Sequence, residues 1–318
     1  MTVSLNQFYK AISVSKQNIH QQLDRQMQAG AIAEQLYKIV VQVRADHPTL
    51  SCRAMYYKLQ PQGIGRDKFE SLCSEWEMVL QRPVNYARTT FSSGVVRFDN
   101  LLNDYQVTDI NQVFVSDITY YEVNRIFHYI TFIMDAFSRY ILGHAVSKRL
   151  TTEQTTLKAF EMAISYKKGS VKAGIIFHSD GGGQYYDKVF LALTNHHKFR
   201  NSMCEYAYEN GKAERINGTI KNNYLKHRNI TSFNELETEV DRSVSLYNHE
   251  RPHKSLHYKT PAQVEKQQLY LQQPTKPVTK ESLHAKTQII GASSPNNTEP
   301  TKPITQDVLT AIELRVKR

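Results

Sequence analysis

The chain has 318 residues, with 40 Lys and Arg against 30 Asp and Glu, a net charge of +10 and three cysteines. This length allows one large domain with appendages or two to three smaller ones, and the basic balance favours a polyanion such as nucleic acid as partner. The scattered cysteines, none in a C-x-x-C pair, argue against a disulfide framework and a structural zinc site and for a reducing compartment, and no apolar stretch is long enough to span a bilayer or to form a signal-peptide core.

Residues 1–30 read as a helix-turn-helix-like segment. Leu5, Phe8, Tyr9 and Ile12 recur at helical spacing, Ser13-Val14-Ser15 interrupts the pattern, and Ser15 caps a second helix over SKQNIHQQLDRQ. In such a unit the second helix faces DNA, and Lys16 at its start is a candidate contact. Residues 31–82 read as a helical DNA-binding domain of three helices: AIAEQLYKIVVQVRADHP, SCRAMYYKLQ capped by Ser51, and RDKFESLCSEWEMVL. The last places Phe69, Leu72, Trp76 and Val79 on one stripe. The single tryptophan, Trp76, is expected in a core rather than against a base. Arg66 and Lys68 are further candidate DNA contacts. Residues 83–108 lack periodicity and read as a linker.

From 109 the texture changes. VFVSDITYY, FHYITFIMD and RYILGHAVS are β-rich runs separated by turns at 122–125 and 136–138. TTEQTTLKAFEMAISYKKG reads as a helix capped by Thr151 or Thr152 and stopped at Gly169. AGIIFHSD is a fourth strand, apolar as a buried parallel strand should be. DKVFLALTNHHKF is a helix, RNSMC a fifth strand and residues 209–227 a long helix. TSFNELETEVDRSVSLYNHERP adds a helix capped by Thr231 or Ser232, and Thr260-Pro261 opens another. A meander followed by strand–helix alternation predicts an α/β fold, a mixed five-stranded sheet with helices on both faces, over 109–266. Residues 267–318, rich in Pro, Thr and Lys, read as a disordered tail, with TQDVLTAIELRVKR able to form a short amphipathic helix.

Three carboxylates stand out within this core. Asp117 lies in VFVSDITYY on the face of Val113, Val115 and Thr119, where an unpartnered charge is costly. Asp180 ends AGIIFHSD and precedes Gly181-Gly182-Gly183; the carboxyl ends of sheet strands commonly form ligand sites, and glycines permit close backbone approach. Glu214, Asn217 and Lys221 share one helix face, beside an apolar face of Ala213, Ile216, Ile220 and Tyr224. Two carboxylates at strands and a third on a following helix suit hard cations that take oxygen ligands. Two Mg²⁺ ions, with Mn²⁺ as a substitute, can clamp the attacking and leaving oxygens of an in-line phosphoryl transfer. Lys221 and Asn217 then project where a DNA backbone can lie. Asp135 also ends a strand and is expected to tie its turn to Ser138 and Arg139. His178 shares a strand face with Asp180, either assisting the site or packed and hydrogen-bonded. His249, Arg251, His253 and Lys254 form a basic patch, from which Arg251 and Lys254 are candidate DNA contacts.

With these residues in place, the chain resembles the OrfB-type transposases of the IS-three insertion-sequence family over about residues 30–266. SDITYY, DAFSRYILGHAVS, HSDGGGQYY, AERINGTIKNNYL and YNHERPHKSLHYKTPAQV carry the resemblance in order. It implies the DDE core of retroviral integrases, a ribonuclease-H-like fold, with Asp117, Asp180 and Glu214 as catalytic metal ligands and Lys221 at the DNA end. It also implies cutting at element ends and strand transfer by 3′-hydroxyl attack on double-stranded DNA, assembly of copies on DNA, an upstream OrfA-type partner, and a bacterial, cytoplasmic, nucleoid-associated location. Three features depart from that pattern: Phe114 stands where an aromatic Trp is usual, Glu209-Asn210-Gly211-Lys212-Ala213 stands where an Asp-Asn-Ala run is usual, and the interval between Asp180 and Glu214 is slightly short. The alternatives are a catalytically silent DNA-binding descendant and a nuclease that cuts without joining.

Overall fold

The computed structural model describes residues 9–11, 14–80, 97–169, 171–204 and 210–272. The expectations for Leu5, Phe8 and Ile12, for the linker over 83–96 and for the tail beyond 272 lie outside the described residues.

The two helices read on either side of residue 30 are a single one, α1 (Lys16–Asp46). Its start is as expected: the Ser15 hydroxyl accepts the Asn18 N–H at 3.1 Å. Gly30 lies inside it, because one glycine costs a helix only about 1 kcal/mol and the Ala31-Ile32-Ala33 run that follows propagates it. A boundary at residue 30 therefore falls within one rod. Helix α2 (Cys52–Leu59) is capped by Ser51 as expected. Helix α3 (Arg66–Glu75) ends earlier than its hydrophobic stripe implies. Trp76 leaves the helix, Glu77 takes a left-handed φ of 57°, and Arg44 of α1 donates to the Met78 carbonyl at 2.9 Å. The chain thus turns back onto α1, which leaves Val79 exposed and Trp76 only partly buried against Tyr37, ring centroids 5.5 Å apart. Leu36, Val40, Val43, Met55, Phe69 and Leu72 form the core of this helical unit.

The sheet contains β1 (Val113–Val123), β2 (Ile126–Asp135), β3 (Ile141–Ser147), β4 (Ile176–Ser179) and β5 (Arg200–Met203), in the order β3-β2-β1-β4-β5. β1, β2 and β3 form an antiparallel meander, and β4 and β5 join in parallel. β4 is short, so its pairing with β1 ends at Val115 opposite His178. Beyond Val115 that edge of β1 has no strand beside it among the described residues, and the site lies where the pairing stops.

Alternation along the strands builds two cores. On one face Phe114, Ile133, Leu142 and Phe177 pack against α4 (Lys158–Tyr166) and α5 (Lys188–His196) through Phe160, Ala163 and Phe190. Helix α4 can approach β3 because residue 143 is glycine; a Cβ there would collide with the Ala159 carbonyl. Its approach turn, Glu153–Leu157, is a wider π-helical turn rather than the regular helix start expected at Thr151 or Thr152. The Thr155 and Thr156 hydroxyls bond back to the carbonyls of Thr151 and Thr152 and open the turn. On the other face Val113, Val115 and Ile130 pack against α6 (Gly211–Asn223) and α7 (Phe233–His249) through Ile216, Ile220, Tyr224 and Val240.

Leu101, Leu102 and Val107, read as linker, pack against this second core, so ordered packing begins before 109. At the other end α8 (Pro261–Leu271) continues past 266. Thr260 and Gln263 cap it reciprocally. Glu265 ties it to the sheet layer through a buried pair with Lys167 at 2.7 Å and a bond from Ser138 at 2.6 Å. Asp135 accepts the Asn111, Phe137 and Ser138 N–H groups and so organises the turn at 136–138.

The helical unit is seated on the core's helices. His47 Nδ1 bonds the Tyr224 hydroxyl at 3.0 Å, Lys58 pairs with Glu250 at 2.6 Å, and Arg242 pairs with Asp46 at 2.8 Å. The Tyr57 and Tyr258 rings stack at 4.0 Å. The first half of α1 buries none of its residues; Leu36 is its first buried side chain.

Candidate active site

Asp117 lies on β1 just past the last residue paired to β4, and Asp180 follows the last residue of β4. The crossover thus brings the two carboxylates together from adjacent strands. Ser116 fixes the β1 side: its hydroxyl donates to the Phe132 carbonyl at 2.9 Å and bonds the buried Tyr185 hydroxyl at 2.8 Å. The Asn210 amide donates to the Ser116 carbonyl at 2.9 Å. On the β4 side the Gly182 N–H donates to Asp180 Oδ1 at 3.2 Å and the Tyr186 hydroxyl to its carbonyl at 3.3 Å. A Cβ on Gly182 would sit 3.1 Å from Asp180 Oδ1, so glycine keeps this turn tight.

Helix α6 crosses the open edge of β1. Asn217 is buried and donates to Asp117 Oδ2 at 2.8 Å, while the Ile118 N–H donates to Asp117 Oδ1 at 2.9 Å. One helical turn on, Lys221 Nζ donates to Thr119 Oγ1 at 3.1 Å and lies 4.7 Å from the centre of the Tyr120 ring. Glu214 is in the first turn of α6 and exposed. Its charge reaches Asp117, yet among the described residues no three His, Cys, Asp or Glu side chains stand close enough to hold a metal ion. Asn217 therefore sits on the carboxylate itself, where the helix-face reading had placed it along a DNA backbone.

Burial pushes the Asp117 carboxyl up to about 7; repulsion from Asp180 and Glu214 adds to this, and the bonds from Ile118 and Asn217 oppose it. Burial also raises Asp180, against the Gly182 N–H that favours its charged form. Close carboxylates share their repulsion, and it shows on Asp117 as the group that keeps its proton longer. The folded protein then holds a proton on Asp117 at pH values where the unfolded chain has released it. Stability from this group is lost as pH rises from about 4 towards 7. Asp117→Asn, melted in EDTA, is expected to be more stable than wild type at pH 8 and to lose that advantage near pH 4. An equal advantage at both pH values would contradict the burial of this charge.

The remaining candidates lie on other elements. Lys16 begins α1, and Arg66 and Lys68 begin α3; all three are exposed. Arg251 and Lys254 follow α7; Lys254 is exposed, and Arg251 is partly buried, 5.8 Å from the centre of the Tyr224 ring. His253 does not belong to a basic patch: burial and then Arg251 push it down to about 3, which leaves it neutral. His178 is buried in the sheet and bonded to Ser202 at 3.0 Å. Arg97, in the segment read as linker, lies 4.8 Å from the centre of the Tyr186 ring and escaped sequence reading. So did Tyr185 and Tyr186 as supports of the site, although the QYY after the three glycines marks them.

An integrase core domain family model matches residues 108–208, and a second integrase core domain model matches residues 198–261. The chain is 30% identical over 221 residues to an uncharacterized 31 kDa protein of insertion element IS600 from Shigella sonnei, covering 67% of this chain and 80% of that one. It is 32% identical over 185 residues to the transposase for insertion sequence element IS629 of Shigella sonnei, covering 56% and 60%. It is 29% identical over 171 residues to transposase InsF for insertion sequence IS3A of Escherichia coli K12, covering 50% and 57%. The chain thus spans less than two thirds of the length of the last two. A solved HTLV-2 integrase catalytic core domain in complex with magnesium is 20% identical with a TM-score of 0.41, covering 50% of this chain and 99% of that one.

Proposed function

The chain belongs to the IS-three family of insertion-sequence transposases, with an integrase-like core of ribonuclease-H-like fold, and from that premise we propose that it cuts DNA at the ends of its element and joins the strands by 3′-hydroxyl attack. The observation that carries the reading is the meeting of Asp117 and Asp180 from β1 and β4, with the Glu214 charge reaching Asp117 from α6.

The donor set fits Mg²⁺ or Mn²⁺. It consists of oxygens only, its carboxylates repel one another, and the buried Asn217 Oδ1 beside Asp117 has no hydrogen-bond partner among the described residues. Asp117 and Asp180 would hold the ions, and Glu214 would complete the set by turning in from the first turn of α6. Bound there, one or two Mg²⁺ ions supply the Lewis acidity that activates the attacking oxygen and offsets charge on the leaving oxygen. The protein's own groups do the rest. Asn217 fixes the orientation of Asp117, and the Gly182 N–H fixes that of Asp180. Lys221, held at Thr119, offers positive charge to a DNA phosphate beside the site. Lys16, Arg66, Lys68, Arg251 and Lys254 would extend the contacts along the duplex. Several copies would bring two ends together, with an OrfA-type protein as a further partner.

A second reading, a catalytically silent DNA-binding descendant, is favoured by the position of Glu214, exposed and outside a three-group metal cage. An end-labelled duplex carrying the element's own terminus separates the two. Nicked and joined strands in Mg²⁺ but not in EDTA support the transposase. Binding with neither product supports the silent descendant.

A further inference from the structure

We propose that the exposed rings of Tyr120 and Phe127 form a stacking platform for one unpaired base of the DNA strand at the site, with the adjoining phosphate on Lys221. This rests on the transposase reading and names a subsite within it. Tyr120 and Phe127 are 58% and 51% exposed on one face of the β1–β2 hairpin. Single exposed apolar residues are ordinary, but two large aromatic rings exposed side by side call for a partner. The Tyr120 and Phe127 rings are not loose: their centroids lie 5.2 Å apart with planes at 85°. Their edge-to-face arrangement leaves ring surface open.

Charge and position select a nucleotide as the occupant. Lys221 reaches past the free edge of β1 to lie 4.7 Å from the Tyr120 ring centre while bonding Thr119 at 3.1 Å. Lys226 is near enough to add to the effect of burial in lowering the Lys221 ammonium, a like-charge pair that an anion relieves. An aromatic face beside a cation is the common device for gripping single-stranded nucleic acid. Tyr120 lies three residues along β1 from Asp117, about 10 Å at strand spacing. β4 pairing ends at Val115, so among the described residues no strand covers this edge. A strand opened for cutting offers an unstacked base where a closed duplex offers none.

The test places 2-aminopurine, in turn, at each of the three nucleotides next to the cut end of a terminal-repeat DNA, with full-length protein in EDTA for fluorescence and binding and in Mg²⁺ for joining. Wild type is expected to alter the fluorescence at one position through stacking. Tyr120→Leu is expected to abolish that change and to weaken end binding roughly ten-fold, and Tyr120→Phe to restore both. Phe127→Leu is expected to give a partial loss, and thermal melts establish that each variant is folded. Wild-type binding, joining and fluorescence in folded Tyr120→Leu would overturn the platform and leave the transposase reading standing. An unchanged fluorescence signal with an altered oligomeric state would assign the patch to a contact between copies and also overturn it. Wild-type protein that neither binds nor joins terminal DNA would bring down both readings together.

Discussion

Asp117→Ala and Asp180→Ala are each expected to slow strand cutting and joining by on the order of a thousand-fold or more, while DNA binding in EDTA stays within about two-fold of wild type. Cation stabilisation of an in-line displacement is worth several kcal/mol, and each 1.36 kcal/mol is ten-fold in rate. Each substitution removes one of the two carboxylates that meet between β1 and β4. Neither removes a positive charge, so the phosphate contacts that dominate affinity are kept. Loss of a carboxylate also relieves repulsion at the site, so a folding defect is not the expected cause of inactivity. Glu214→Gln belongs to the same class if Glu214 turns in to complete the set. Single-turnover gels give the rates, and fluorescence anisotropy in EDTA gives the binding. Joining at wild-type rate in either Asp variant would end the assignment of that residue.

Lys167→Ala is expected to destabilise the fold by about 3–5 kcal/mol, a large share of the roughly 5–15 kcal/mol that holds a typical domain. Both partners of the Lys167–Glu265 pair are only 3% exposed, so solvent screens this interaction little. Without the ammonium, the Glu265 carboxylate stays buried against Ser138, with Asp135 behind it. Asp135 is already raised by burial and then by Glu265, and Lys167 is a group that opposes this rise. The variant would therefore leave two buried carboxylates facing each other and release α8 from the sheet layer. Replacing both partners, Lys167→Met with Glu265→Leu, removes the uncompensated charge and is expected to recover most of the loss. Urea unfolding of the single and double variants reads this directly. A single variant within about 1 kcal/mol of wild type would mean that the pair is not buried in solution.

The sheet was legible because its signals are local. Alternation in VFVSDITYY and FHYITFIMD and the apolar run before Asp180 are written in consecutive residues, and a meander followed by strand–helix alternation marks a mixed five-stranded sheet, whereas its order, β3-β2-β1-β4-β5, comes from the structure. Helix ends set by tertiary contacts were not legible. The stripe through Val79 continues in sequence, but Arg44 captures the Met78 carbonyl from another helix. Gly30 reads as punctuation and is carried inside α1 by its neighbours. The carboxylates were named from their contexts, but their environment needed coordinates. Periodicity put Asn217 and Lys221 on the Glu214 face; only the packing of α6 across β1 puts Asn217 on Asp117 and Lys221 on Thr119. His253 reads as part of a basic cluster, and burial makes it neutral. Arg97 had no signal at all, since nothing in its own segment points to Tyr186.

Anomalous diffraction from crystals of the protein bound to terminal DNA and Mn²⁺ tests whether Asp117, Asp180 and Glu214 together hold the divalent ions proposed to carry strand transfer. Density is expected for one or two ions between the Asp117 and Asp180 carboxylates, with Glu214 turned in from α6 to share them. Manganese bound elsewhere, or a site that leaves Glu214 facing solvent while the crystals still join DNA, would contradict it.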